Sequence, residues 1–174
     1  MVEDMYGYKM VEQVTRKKKP GSGALKAVMI IFGVLFVLMG IMFSRGFMLP
    51  GFLLVGLYFV YDIFSQRAYE YTLEGVNFTI SVIMGRRYRR EAHVLNLQEL
   101  EVIAPNWHES VGKYRRKGGT VKLPKYDYTS YDDDIPYYTM IIMEGKRKIK
   151  ILLDLNQEML HAIKSVYPDK VFFA

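Results

Sequence analysis

Apolar and polar residues follow two different patterns along this chain. Residues 27–44 contain no charged side chain, and neither do residues 46–61. An α-helix rises about 1.5 Å per residue, so about 20 apolar residues cross a hydrocarbon layer about 30 Å thick. Both stretches are apolar on every side, which favours lipid over the interior of a soluble domain. They predict a transmembrane helical hairpin over 24–64, with helices at about 24–44 and 47–64.

Two other interpretations of these apolar stretches are weaker. A buried hairpin in a soluble core remains the alternative, because it would also need two apolar helices. A cleaved signal peptide fits less well, since the first stretch exceeds the usual apolar region and no small-x-small cleavage site follows it. Gly33 and Gly40 share one face of the first helix, and small residues there predict close approach by the second helix.

Basic residues are concentrated at the two outer ends of the predicted hairpin. The turn offers only Arg45, whereas the outer ends carry Lys17, Lys18, Lys19, Lys26 and Arg67. The positive-inside rule therefore predicts a two-pass protein of the cell membrane with both termini in the cytoplasm. The lysine run also suits anionic headgroups. An equally weighted alternative makes it a topology signal and nothing more.

From residue 65 onward the pattern changes to short alternating segments. They predict strands at 69–74, 76–84, 88–97, 100–104, 137–143 and 148–153, and one more at 120–123 within a long polar stretch. Asp154 and Gln157 have the spacing of a capping box for an amphipathic helix over 155–167.

The predicted fold class is α+β with a membrane part. A basic N-terminal segment over 1–23 precedes the hairpin. A cytoplasmic domain over 65–174 follows it, as a small antiparallel β-barrel or sandwich capped by one C-terminal α-helix.

This order of elements resembles the bacterial pleckstrin-homology-like (PH-like) domains that follow a pair of transmembrane helices in small membrane proteins. The resemblance is carried by the strand run 69–104, the hairpin 137–153 and the final helix 155–167. It is a likeness of architecture, without a short diagnostic motif. It implies a module that binds a ligand, a lipid or a protein, and not an enzyme.

The composition excludes several kinds of chemistry. With no cysteine among 174 residues, a disulfide scaffold, a thiolate nucleophile and a cysteine-ligated metal are ruled out. No phosphate-binding loop, nucleophile elbow, zinc-binding helix or dinucleotide motif occurs. His93, His108 and His161 lie far apart, and the acidic run 132–134 lacks the glycine of a calcium loop. No catalytic residue, metal or cofactor is predicted.

Tyrosines flank the acidic run on both sides. They are Tyr126, Tyr128, Tyr131, Tyr137 and Tyr138. Tyrosine is enriched at protein interfaces, so they suit a protein contact. The favoured interpretation makes them strand residues that fill the core.

An arginine cluster supplies the clearest candidate for binding: Arg86, Arg87, Arg89 and Arg90. An antiparallel meander that starts at the membrane brings this turn back to the bilayer. The same strand count brings a second group to that end, consisting of Trp107, Lys113, Arg115, Arg116 and Lys117. Arginine forks suit phosphate, and tryptophan prefers the headgroup zone, so the two groups predict contact with anionic phospholipid. Alternatively, the arginines only maintain solubility and topology.

Two function classes follow. The first is a non-catalytic, membrane-anchored binding module that contacts anionic lipid, recruits an unidentified protein partner, or does both. The second is an accessory subunit of a larger membrane complex for transport or envelope assembly. The chain has a net charge of +6, but the basic excess beyond residue 65 is small, which disfavours nucleic acid.

Overall fold

The computed structural model describes residues 9–17, 21–65, 67–85, 88–115, 118–132 and 134–174. These residues form two compact units. Among the described residues, the helical unit covers those within 17–67 and 84–88, and the β-rich unit covers 9–16 and those within 68–83 and 89–174. From Lys9 onward the chain therefore passes from the β-rich unit into the helices and then returns.

The helical unit contains two long apolar helices. Helix α1 spans Ser22–Met42, a short 3-10 turn spans Arg45–Phe47, and α2 spans Met48–Ser65. Both helices are long and apolar enough to cross a membrane. A Cβ built on Gly33 would stand 3.0 Å from Val55 of α2. The prediction that the small residues of the first helix receive the second helix is confirmed.

The first sheet contains four strands in the order β1-β2-β3-β4. They span Lys9–Thr15, Arg67–Glu74, Asn77–Met84 and Tyr88–Asn96. Strand β1 is antiparallel to β2, with Thr15 opposite Ala68 and Lys9 opposite Glu74. The sequence pattern predicts only a basic segment over 1–23. Within that segment Lys9–Thr15 instead forms an edge strand of the domain, and the whole hairpin is inserted between two paired strands.

The second sheet has the order β5-β7-β8-β6. These strands span Leu100–Pro105, Lys125–Asp127, Tyr138–Glu144 and Arg147–Leu153 in chain order from β5 to β8. The described strands thus form two sheets, so the predicted closed barrel is wrong and the two-sheet alternative holds. Strand β6 runs parallel to β8, which departs from the predicted all-antiparallel arrangement.

The predicted strand at 120–123 lies too early in the chain. Strand β6 begins at Lys125, directly after Pro124, whose carbonyl accepts a hydrogen bond from the Lys150 amide at 2.9 Å. Proline lacks an amide proton and is therefore best placed just before a strand.

Both sheets and helix α3, Gln157–Val166, contribute to one main core. Buried Tyr71 donates a hydrogen bond from its hydroxyl to the Tyr128 carbonyl at 2.7 Å. The helix cap differs from the predicted one, because Asn156 accepts from the Met159 amide at 2.7 Å. Asp154 instead accepts from the Ser130 amide at 2.6 Å and holds a loop against the core.

Candidate functional site

The start of the turn between β3 and β4 lies beside the last turn of α2. Residues 84–88 group with the helical unit, and a Cβ on Gly85 would stand 3.6 Å from Ile63 Cγ2. Gly85 has φ +62°, a conformation that glycine adopts without strain. Of the predicted cluster, Arg86 and Arg87 lie outside the described residues. Gly85, at the start of this turn, therefore lies beside Ile63 in the last turn of α2.

The described part of the arginine cluster opens strand β4. Arg89 Nη2 lies 2.5 Å from Glu70 Oε1, and its side chain is still 53% exposed. Arg90 is exposed and makes no side-chain hydrogen bond or ion pair with any other described residue. Tyr88 next to them is 58% exposed. This part of the site presents one paired guanidinium, one unpaired guanidinium and an accessible aromatic ring.

The open end of the hairpin carries an ion pair that the sequence pattern did not predict. Lys26 of α1 donates to the Asp62 carboxylate of α2 and lies 5.9 Å from the Tyr61 ring centroid. The pair is partly buried, with the Lys26 side chain 15% exposed and the Asp62 side chain 33% exposed. The signal was available, because the two residues are equally far along the chain from Ser44 in the hairpin turn.

Of the other basic residues predicted to flank the membrane, the structure describes Arg67 and Lys17. Arg67 donates from Nε to the Phe64 carbonyl at 3.2 Å, which closes the end of α2. Lys17 is the first residue of the helical unit. Lys18 and Lys19 lie outside the described residues.

The second predicted basic group follows β5, and its described cations are used within the fold. Arg115 donates from Nε to the Asn106 carbonyl at 3.1 Å and from Nη2 to the carbonyls of Trp107 and His108. Lys113 Nζ lies 3.1 Å from Glu101 Oε1. Trp107 is 59% exposed. Arg116 and Lys117 lie outside the described residues.

The observed sheets remove the argument that placed the two basic groups at the same end of the domain. The count assumed one continuous meander, but β4 belongs to the first sheet and β5 to the second. Arg90 therefore lies near the start of β4 in the first sheet, whereas Trp107 follows β5 in the second sheet. A common lipid-facing end for both groups stays a prediction.

Glu101 organises the segment that covers the outer face of the second sheet. Its carboxylate accepts from the Tyr114 hydroxyl at 2.5 Å and from Lys148 at 2.6 Å, besides its contact with Lys113. Partial desolvation would raise the pKa of Glu101, but the hydrogen bonds from Lys148, Tyr114 and Lys113 outweigh it and lower the pKa to about 2. The network ties the short helix Glu109–Tyr114 to β5 and β8.

The tyrosines divide between the core and the surface. Tyr138 is buried, Tyr126 and Tyr128 pack against the main core, and Tyr131 is 45% exposed. The His93 ring makes edge contacts with the Tyr126 and Tyr128 rings, and its Nδ1 lies 2.6 Å from Glu144 Oε1. Among the residues that the structure describes, no group of three His, Cys, Asp or Glu side chains could hold a metal ion.

With this geometry, the family of the chain can be assigned. Residues 4–173 match the family described as "Bacterial PH-like domain (DUF6106)". The match covers almost the whole chain, including the inserted helices, so the chain belongs to this family and the resemblance to PH-like domains is confirmed. No curated protein and no solved structure matches the chain significantly.

Proposed function

We propose that the protein is a non-catalytic PH-like binding module held at the cytoplasmic face of the cell membrane, where it contacts anionic headgroups. The observation that carries this proposal is the β3–β4 turn, which groups with the apolar helices and leads into Arg89 and Arg90. A turn beside the end of a membrane helix is at headgroup height. Arginine is the side chain best suited to phosphate at that height.

The hairpin supports membrane insertion. Both helices expose large apolar side chains along most of their length, and only small fractions of their apolar windows are buried within the protein. In water such a surface would be an exposed apolar patch far larger than soluble proteins tolerate. The pairing of Lys26 with Asp62 leaves no unpaired charge at that level of the helices. With only Arg45 at the turn, the positive-inside rule orients both termini toward the cytoplasm.

Neutralising the arginine cluster is expected to weaken the preference for anionic lipid. The variant carries Arg86→Gln, Arg87→Gln, Arg89→Gln and Arg90→Gln together. Each basic residue near an anionic surface contributes about 1 kcal/mol. Arg89 is discounted for its pairing with Glu70, so the other three should change the preference by about 3 kcal/mol, or about 100-fold. The full chain is placed in nanodiscs that contain both phosphatidylglycerol and phosphatidylcholine and is then released from them. The quantity measured is the ratio of the two lipids that stay bound to the protein.

A charge-matched control separates the site from net charge. Lys122, Lys146, Arg147 and Lys164 are changed together to Gln, which removes four positive charges from other parts of the β-rich unit. This control should retain the wild-type lipid ratio. Equal ratios for the cluster variant and the wild type would show that the arginines serve solubility and topology alone.

A second candidate function is an accessory subunit of a larger membrane complex. Gly56 favours it, because a Cβ at this position of α2 would meet nothing within 4 Å. A small residue on an exposed helix face lets a further helix approach closely. Co-purification of a stoichiometric membrane protein from native membranes would support this role, whereas a chain that purifies alone supports the binding module.

A further inference from the structure

Lys150 is a buried lysine on the outer face of the second sheet. Its neighbours Ile149 and Ile151 point into the main core, so the Lys150 side chain lies on the opposite face. The residue is only 8% exposed. Its Nζ donates to the Tyr114 carbonyl at 2.8 Å, which uses one of its three protons.

The charges around Lys150 oppose its own. Lys125 is its direct partner in the β6–β8 register, and the Arg115 guanidinium acts on it as well. Burial, and then these two cations, lower the pKa of Lys150. Lys125 has its own carboxylate, Asp127 Oδ2 at 3.2 Å, but no described carboxylate pairs with Lys150. A buried ammonium group without a counter-charge is unfavourable, and an anion bound beside Lys150 would supply the counter-charge that the described residues do not.

A second donor lies on the same face without a partner. Thr139 is opposite Leu152, and Ile141 is opposite Lys150, so the Thr139 side chain is one diagonal step from Lys150. Its hydroxyl is fully buried and makes no hydrogen bond with any described residue. Arg115 donates through Nε and Nη2 only, so Nη1 is also unused by the described residues. Three donor groups thus have capacity left.

We propose that Lys150, with Lys125 and Arg115 at its rim, binds an anion bearing a phosphate group. Phosphate matches a site of clustered ammonium and guanidinium donors that contains no competing carboxylate at its centre. Inorganic phosphate and a lipid phosphomonoester share this chemistry. The site lies on the second sheet and does not involve the β3–β4 turn. Its test is therefore independent of the test of the proposed headgroup contact.

The test compares the full chain with Lys150→Met in nonionic detergent, with inorganic phosphate exchanged for chloride at constant ionic strength. Phosphate at ten times its dissociation constant should raise the wild-type Tm by about 5 °C. The variant should show no such rise. Without phosphate the variant loses both the buried charge and the hydrogen bond to the Tyr114 carbonyl, so its Tm should stay within about 5 °C of the wild type. Lys146→Met, at the exposed turn of the same hairpin, is the matched control and should respond like the wild type.

A second arm distinguishes the two phosphate sources. The same proteins are melted in phosphatidylcholine nanodiscs with and without phosphatidate. A Lys150-dependent rise in either arm supports the site, and the arm in which it occurs identifies the source. No rise in both arms, or a rise that Lys150→Met retains, overturns the proposal. If Lys150→Met does not fold, the exposed Lys125→Met decides instead, and a wild-type response from that variant also overturns it.

Discussion

Replacing Gly51 by leucine is expected to lower the Tm of the full chain in nanodiscs by about 10 °C. A Cβ on Gly51 would stand 3.0 Å from the Gly33 carbonyl oxygen and 3.0 Å from the Val37 amide nitrogen. Both obstacles are backbone atoms of α1, which cannot rotate away as a side chain can. The two helices would have to separate, and their close contact would be lost.

Gly56→Leu supplies the matched control in the same helix. A Cβ on Gly56 has nothing within 4 Å, so this substitution should change the Tm by no more than about 2 °C. Thermal unfolding of the two variants side by side measures the packing alone, since the change in composition is identical. Equal melting temperatures for Gly51→Leu and Gly56→Leu would contradict the hairpin packing described above.

Removing strand β1 is expected to unfold the β-rich unit. A chain that begins at Arg67 lacks Met10 and Val14, which pack against the main core. It also lacks Glu12, which accepts from the Asn156 amide at 3.1 Å, and Arg16, which donates to the Tyr69 hydroxyl at 2.7 Å. Together these losses amount to on the order of 3–5 kcal/mol, comparable with the total stability of a small domain. Near-ultraviolet circular dichroism of the 67–174 fragment should therefore show no fixed tertiary structure.

A fused chain provides the control for this prediction. Residues 9–16 are joined to 67–174 through a short glycine-containing turn that replaces the hairpin. Thr15 and Ala68 are paired directly, so a tight turn can connect β1 to β2. This soluble chain should fold cooperatively. A native spectrum from the 67–174 fragment alone would show that β1 is dispensable and that the hairpin merely precedes the domain.

Local patterns predicted most of the fold correctly. The two apolar stretches, the alternation in β3 and the amphipathic face of α3 each depend on neighbours in the sequence. Their observed bounds differ from the predicted ones by a few residues. Such features are readable because a helix or strand face is defined by its own spacing.

The features that were missed depend on distant partners. Strand β1 pairs with β2 across the whole inserted hairpin, so nothing near Lys9–Thr15 marks it as part of the domain. Strand β6 has three residues and is fixed by its parallel partner β8. Asp154 has the sequence of a helix cap, but its carboxylate holds the Ser130 amide, and Asn156 caps the helix instead.

The candidate site was predictable only in its local part. The arginine cluster and its turn are visible in the sequence. The roles of Lys113 and Arg115 are not visible in the sequence, because their partners are brought to them only by folding. Lys113 pairs with Glu101, and Arg115 donates to the carbonyls of residues 106–108. Lys150 gave no signal either, since a lysine alternating with isoleucines is typical of a solvent-facing strand position. Its burial comes from the segment around Tyr114, which crosses that face.

The most direct test of the central claim is fluorescence quenching by brominated phospholipid in nanodiscs. Trp107 is the only tryptophan, so Trp107→Phe with Tyr88→Trp places a single fluorophore beside the arginine cluster. Lipid brominated near the headgroup should quench the introduced tryptophan strongly. The wild-type chain reports in parallel whether Trp107 also meets the lipid. If brominated lipid leaves the tryptophan at position 88 unquenched while soluble acrylamide quenches it fully, the β3–β4 turn does not lie at the membrane surface.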